Sequence, residues 1–306
     1  MTGRKFNIIK RTAAFLLALA LLLTSVWSAG CSLSDETPYD GPVMTDITHC
    51  GGNEYKGIFD GNEYDFLLCL PERQEDSAPA PLVVMLHGYG NTGEYFRTVT
   101  AMDKAGNERG YAIAFLTSPS AEWNSGIGIS DKDDVGLIKA FAVGLQQQFN
   151  LDSKATFAAG FSNGGFMVQR LAAEASDVFA GVASVAGMMP RAVWQNRPEK
   201  TDISVLMVYG TADDVVPMHL NGSAATSPNP AIEDVTEYWA SAAGLAEVTT
   251  ADLSPKAVYT QYTNRAQSRF VGTIVIDGGG HSWTEESISG FNLNEAILDF
   301  FDKVGQ

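Results

Sequence analysis

Apolar residues along this chain come in short unbroken runs, and between the runs they recur at helical spacing. The run 82–86 (LVVML) has no polar position, as expected of a strand covered on both faces. Similar runs predict strands at 111–116 and at about 180–186, 203–209 and 269–276. Ile138, Phe141, Ala142, Leu145 and Phe149 share one helix face. That helix starts at Asp131, Asp133 and Asp134, acids suited to the positive end of its dipole. Met167, Val168, Leu171, Ala172 and Ala175 form a second such face. Leu293, Ile297, Phe300, Phe301 and Val304 form a third, with Asn292 and Glu295 spaced as a capping box. A helix reaching about Gly110 follows the first run, and another near 231–244 precedes the last strand. Strands alternating with helices imply an α/β fold: a mainly parallel sheet with helices on both faces. Ahead of it, alternating runs at about 53–58 and 62–70 flank the turn FDGN (59–62) and predict an N-terminal antiparallel hairpin. Residues 218–260 are the least regular part and predict loops or a small lid over the strand ends.

Composition narrows the setting. A chain of 306 residues with 45% hydrophobic content suits one large α/β unit, over 48–306. Its formal net charge of −16 argues against nucleic acid as a partner, because phosphate binding needs a basic footprint. Arg4, Lys5, Lys10 and Arg11, an apolar stretch from Ala13 to Leu23 and small residues up to Ala29-Gly30 read as a signal peptide over 1–30. Ala-Gly-Cys at its end resembles a lipobox, which predicts either a lipid anchor on Cys31, the only link to a membrane, or plain secretion. Ser28 departs from that pattern, in which Leu is commonest. Residues 31–47 read as a solvated tether. Cys50 and Cys69 lie nearly symmetrically about the hairpin turn, so they either form a disulfide or stay as two thiols, one buried in each strand.

The chemistry gathers around Gly160-Phe-Ser162-Asn-Gly164, between a short apolar run and the second helix face. A strand that enters a helix through Gly-x-Ser-x-Gly is the setting of a nucleophile elbow, although the bare motif also arises by chance. A serine needs a base, and the base needs an acid to orient it. The chain has four histidines. His49 precedes the sheet, and His87 ends the first run inside Leu-His-Gly. His219 lies in a loop past a strand, whereas His281 follows a strand through Asp277-Gly-Gly-Gly280. Such strand ends are where parallel sheets bind ligands, which selects His281. The acid comes from the loop after 203–209, where Gly-x-x-Asp-x-x-Val-Pro spacing favours Asp213 over its solvated neighbour Asp214. The order Ser162, Asp213, His281 is that of α/β-hydrolases. Backbone N–H groups of Tyr89 and Asn163 are the candidate oxyanion donors. Trp123 and Trp283 are either substrate contacts or packing that steadies their loops. Asp131, Asp133 and Asp134 read as a helix start rather than a metal site, and no cofactor motif stands out.

The segments LHGYGNTG, DDVGLIKA, AAGFSNGGFMVQRLA, VASVAGMMP, YGTADDVVP and GGGHSW…GFNLNEAILDFF resemble, in order, the extracellular polyhydroxybutyrate depolymerase/feruloyl esterase family. The likeness runs from about residue 56 to 303. It implies an α/β-hydrolase acting as a secreted serine carboxylesterase, with Ser162, Asp213 and His281 as its triad. The implied substrates are short acyl or hydroxycinnamoyl (acetyl or feruloyl) esters on plant polysaccharide, with polyester as the rival. A second rival is a glycan-binding surface protein that keeps the fold without catalysis. Two departures bear on the pocket: Thr284-Glu285 follow Trp283 where relatives carry Pro-Gly, and Gly244-Leu245 stand where a cysteine is common.

Overall fold

The computed structural model describes residues 39–74, 77–218, 230–266, 268–283 and 286–305. Almost all of them belong to one compact unit, Gly41–Gln306. Cys31, His219, Thr284 and Glu285 lie outside the described residues.

An 11-stranded sheet runs through the unit. In chain order its strands are β1 (Thr45–Gly51), β2 (Glu54–Phe59), β3 (Asn62–Cys69), β4 (Ala80–Leu86), β5 (Ala112–Leu116), β6 (Leu151–Phe161), β7 (Gly181–Val185), β8 (Ser204–Gly210), β9 (Glu247–Ser254), β10 (Ala257–Thr263) and β11 (Val271–Ile276). In space the order is β1-β2-β3-β5-β4-β6-β7-β8-β11-β10-β9. The centre, from β5 through β4, β6, β7 and β8 to β11, is parallel. Its strands are apolar on both faces because helices cover both, as the unbroken runs required.

The helices are α1 (Gly93–Thr100), α2 (Met102–Glu108), α3 (Asp134–Phe149), α4 (Asn163–Glu174), α5 (Arg191–Gln195), α6 (Ile232–Ala242), α7 (Glu286–Ser289) and α8 (Leu293–Val304). One core joins sheet residues such as Phe157 and Val208 to Phe96 of α1 and Phe300 and Phe301 of α8. Phe157 and Phe301 stack there at 4.5 Å between ring centroids. Asp133 caps α3, accepting the Gly136 N–H at 2.9 Å. Asn292 caps α8 in the expected way, but Glu295 does not return the bond. It reaches Arg109 instead, which also pairs with Asp299 and Asp302 and ties α2 to α8.

Several expectations need correction. The tether does not reach residue 47: Met44 is buried and β1 begins at Thr45, paired with β2. Only Ile47 of β1 is buried, so the strand is held mainly by backbone pairing and leaves no alternation to read. The helix expected up to Gly110 is two helices, broken at Ala101 with φ 48°. Within 218–260, the described part from 230 is α6 followed by β9 and β10, which extend the sheet: β10 pairs antiparallel with β11, and β9 antiparallel with β10. Threonines and charges on the open side of that hairpin masked its strand pattern.

The Cys50–Cys69 bridge is absent, and both thiols are free. Cys50 lies on exposed β1 and Cys69 on β3, with β2 between them. The symmetry misled because the chain turns once more, between β1 and β2. Cys69 is buried, and that burial, with Asp103 beside it, pushes its thiol up to about 11.

Candidate active site

The end of β6 meets the start of α4 at Ser162, whose backbone has φ 54° and ψ −117°. A non-glycine residue holds that geometry only when its surroundings enforce it. Here the Ser162 N–H is fixed on the Val185 carbonyl of β7 at 3.0 Å, and its carbonyl takes the Phe166 N–H at 2.8 Å. A Cβ on Gly160 would overlap the Gly164 carbonyl, and one on Gly164 would overlap the carbonyls of Leu86 and His87. The two glycines of the motif therefore permit a contact between strand and helix that no other residue allows. The turn leaves the serine Oγ clear of the sheet at the positive end of a 12-residue helix.

Three loops from the carboxyl edge of the sheet converge on this Oγ. His281, after β11, places Nε2 2.9 Å from Ser162 Oγ. Its Nδ1 lies 2.8 Å from Asp213 Oδ2, from the loop after β8. Asp213 is nearly fully buried, and its Oδ1 accepts the N–H groups of Val215 at 2.9 Å and Val216 at 2.8 Å. With two donors on one oxygen, the carboxylate stays an acceptor for His281, which sets the imidazole proton on Nδ1. Nε2 is then free to accept from the serine hydroxyl. Asp214 is exposed, so the spacing selected the right carboxylate for this contact. The Phe161 ring packs against the imidazole, with centroids 4.9 Å apart.

The third loop follows β4. A Cβ at Gly88 would lie 3.5 Å from the Ser162 Cβ, so the backbone just before Tyr89 stands beside Ser162. Tyr89 itself is 65% exposed. Asn163 begins α4, where helical N–H groups have no intrahelical acceptor.

His87 and Trp123 turn out to hold this loop in place. His87 is fully buried, and its Nε2 accepts the Ser118 N–H at 3.0 Å. Its Nδ1 must then be the protonated nitrogen, donating to the Gly88 carbonyl at 2.8 Å. Burial holds its pKa below the ordinary histidine value. Trp123 is no substrate contact: it is 0% exposed and donates Nε1–H to the His87 carbonyl at 2.9 Å. Trp283 is also buried, edge-on to Phe96 and bonded to Asn294, where it steadies the His281 loop. His49 lies on β1, bonded to the Gly52 carbonyl.

Sequence reasoning missed the side chain of Asn163. Its Oδ1 accepts the Trp123 N–H at 2.7 Å and its Nδ2 donates to Ser125 Oγ at 3.1 Å. Asp134 Oδ2 takes the Asn124 N–H at 2.6 Å, and Arg170 donates to the Asn124 carbonyl at 2.6 Å. Together these bonds fasten the loop after β5 against α3 and α4. No periodicity announces contacts between residues 40 positions apart.

This arrangement defines the class: the chain has the α/β-hydrolase fold, with an elbow serine after β6, an acid after β8 and a histidine after β11. Comparison with known proteins agrees. Residues 132–238 match the Phospholipase/Carboxylesterase family. The chain is 31% identical over 225 residues to NocK of Nocardia uniformis subsp. tsuyamanensis, named as an esterase, covering 66% of this chain and 65% of NocK. It is 25% identical over 214 residues to feruloyl esterase B of Piromyces equi, covering 66% of this chain and 40% of that protein. The chain thus spans less than two thirds of the length of these relatives. Among solved structures, the acetyl xylan esterase from Aspergillus awamori superposes with a TM-score of 0.58 at 14% identity, covering 78% of this chain and 94% of that one. At that identity the structural match speaks for the fold. The resemblance to feruloyl and acetylxylan esterases drawn from the six segments is met by these relatives.

Proposed function

We propose that this protein is a serine carboxylesterase that cleaves acyl esters through a covalent acyl-enzyme. One observation carries the reading: Ser162 Oγ, His281 and Asp213 form a continuous hydrogen-bonded chain, with the serine on a strained elbow. His281 Nε2 takes the hydroxyl proton as Ser162 Oγ attacks the ester carbonyl. The Asn163 and Tyr89 N–H groups receive the oxyanion, and losing one such donor costs about 3 kcal/mol of barrier. His281 returns the proton to the leaving alcohol, which departs and leaves Ser162 acylated. Water then repeats the sequence, releasing the acid and restoring the serine.

Esterified plant polysaccharide is the favoured substrate, with acetyl or feruloyl as the acyl group. The names of the relatives support that choice. Secretion, with a lipid on Cys31, is part of the same reading and rests on residues 4–31 alone. A panel of acetyl, butyryl, feruloyl and hydroxybutyrate esters tests the substrate. Acetyl or feruloyl turnover that disappears in Ser162→Ala is the expected result, whereas hydroxybutyrate oligomer as the preferred ester would overturn the polysaccharide assignment.

A further inference from the structure

The hairpin of β2 and β3 overshoots the sheet. Phe66 faces Leu116, the last residue of β5, so residues 62–65 stand beyond the carboxyl edge. With a rise of about 3.4 Å per residue, they form a wall about 14 Å high. Facing it are Pro119, from the loop after β5, and the start of α3. Between them lies a cavity of about 440 Å³, within the range of small-ligand sites.

Its lining has two kinds of surface. Phe59, Tyr64 and Leu137 give apolar and ring faces, while Asp60, Asn62 and Lys132 supply acceptors and donors. Flat apolar surface for C–H faces, with planar polar groups for hydroxyls, is the chemistry that recognises a sugar. The Tyr64 hydroxyl has no hydrogen-bond partner among the described residues and stands near the Asp134 and Asp60 carboxylates. A sugar hydroxyl can serve both.

Position ties this cavity to Ser162. The strand order β3-β5-β4-β6 puts three spacings of about 4.8 Å, or about 14 Å, between the hairpin and the strand that delivers the nucleophile. Both sites open at the same edge. The loop after β5 joins them, lining the cavity at Pro119 and binding Asn163, next to the nucleophile, at Trp123.

We propose that this cavity is a distal subsite for the sugar chain that carries the ester, holding units a short way along the chain from the acylated one. The proposal rests on the polysaccharide esterase reading. A net charge of −16, with several carboxylates in the lining, selects a neutral chain such as a xylan over a polyuronate.

Calorimetric titration of the Ser162→Ala full chain with xylohexaose tests it. Tyr64→Ala in that background should weaken binding by about tenfold or more, as expected when a ring contact in a sugar site is lost. Lys132→Ala, at an exposed position, should weaken it severalfold. Unaltered affinity in both variants would overturn the subsite. So would no binding of xylohexaose when the protein with Ser162 in place hydrolyses nitrophenyl acetate, and the esterase reading would then stand. Failure to hydrolyse nitrophenyl acetate removes that reading and this inference with it.

Discussion

Ser162, with φ 54°, can be held only by bonds on both sides of it, and the structure supplies them from β7 and from α4. Strain at one residue is thereby converted into aim. Asp213 shows the same economy, because Oδ1 is occupied by two backbone donors and only Oδ2 faces His281. Asp213→Asn would present an amide N–H to Nδ1 and force the imidazole proton onto Nε2, against the serine. The expected cost is about 10⁴ in kcat, the size of effect seen when a triad tautomer is reversed in another hydrolase, read by steady-state ester hydrolysis with the fold unchanged. His87 carries a pH prediction. Its folded pKa lies below the ordinary value of about 6.5, so below that pH the unfolded chain binds more protons than the native one. Its contribution to stability is complete above about pH 6.5 and is lost as pH falls through the folded value. Urea midpoints measured against pH should therefore decline on the acid side, with a shallower slope in His87→Asn.

At the scale of elements, the hydrogen-bonded cluster of Ser162, His281 and Asp213 was legible because its signals are local. The elbow pentapeptide, the Asp213 spacing and the glycine-rich approach to His281 each follow a strand whose carboxyl-terminal part is an apolar run. What was not legible depends on partners. β1 buries a single side chain, β9 is largely exposed and β10 mostly half-buried, and Cys50 and Cys69 are separated by a strand whose extra turn is silent in the spacing. Trp123 and Trp283 look alike as loop aromatics, yet each is committed to a hydrogen bond inside the protein. The close contact at the elbow predicts that Gly164→Ala cannot be absorbed. The new methyl would meet two backbone carbonyls of β4 and its loop, which cannot move as a side chain can. Overpacking of this kind costs about 1–3 kcal/mol or more, so a lower thermal midpoint and a large loss of kcat should appear together.

For the whole molecule, the parallel centre of the sheet brings three loops distant in sequence to one edge, and the antiparallel additions at each end widen that edge. β2 and β3 extend it on one side, β10 and β9 on the other. The α/β class followed from the alternation of runs and helix faces; the width of the sheet did not, because its outer strands are amphipathic or polar. A reactive serine is what separates an esterase from a surface protein that keeps only the fold. Reaction with a fluorophosphonate probe, followed by intact mass and peptide mapping, decides between them. A single adduct on Ser162 is expected, one that disappears in Ser162→Ala and forms far more slowly in His281→Ala. A protein that stays unlabelled, or one labelled equally after Ser162 is replaced, would contradict the esterase reading.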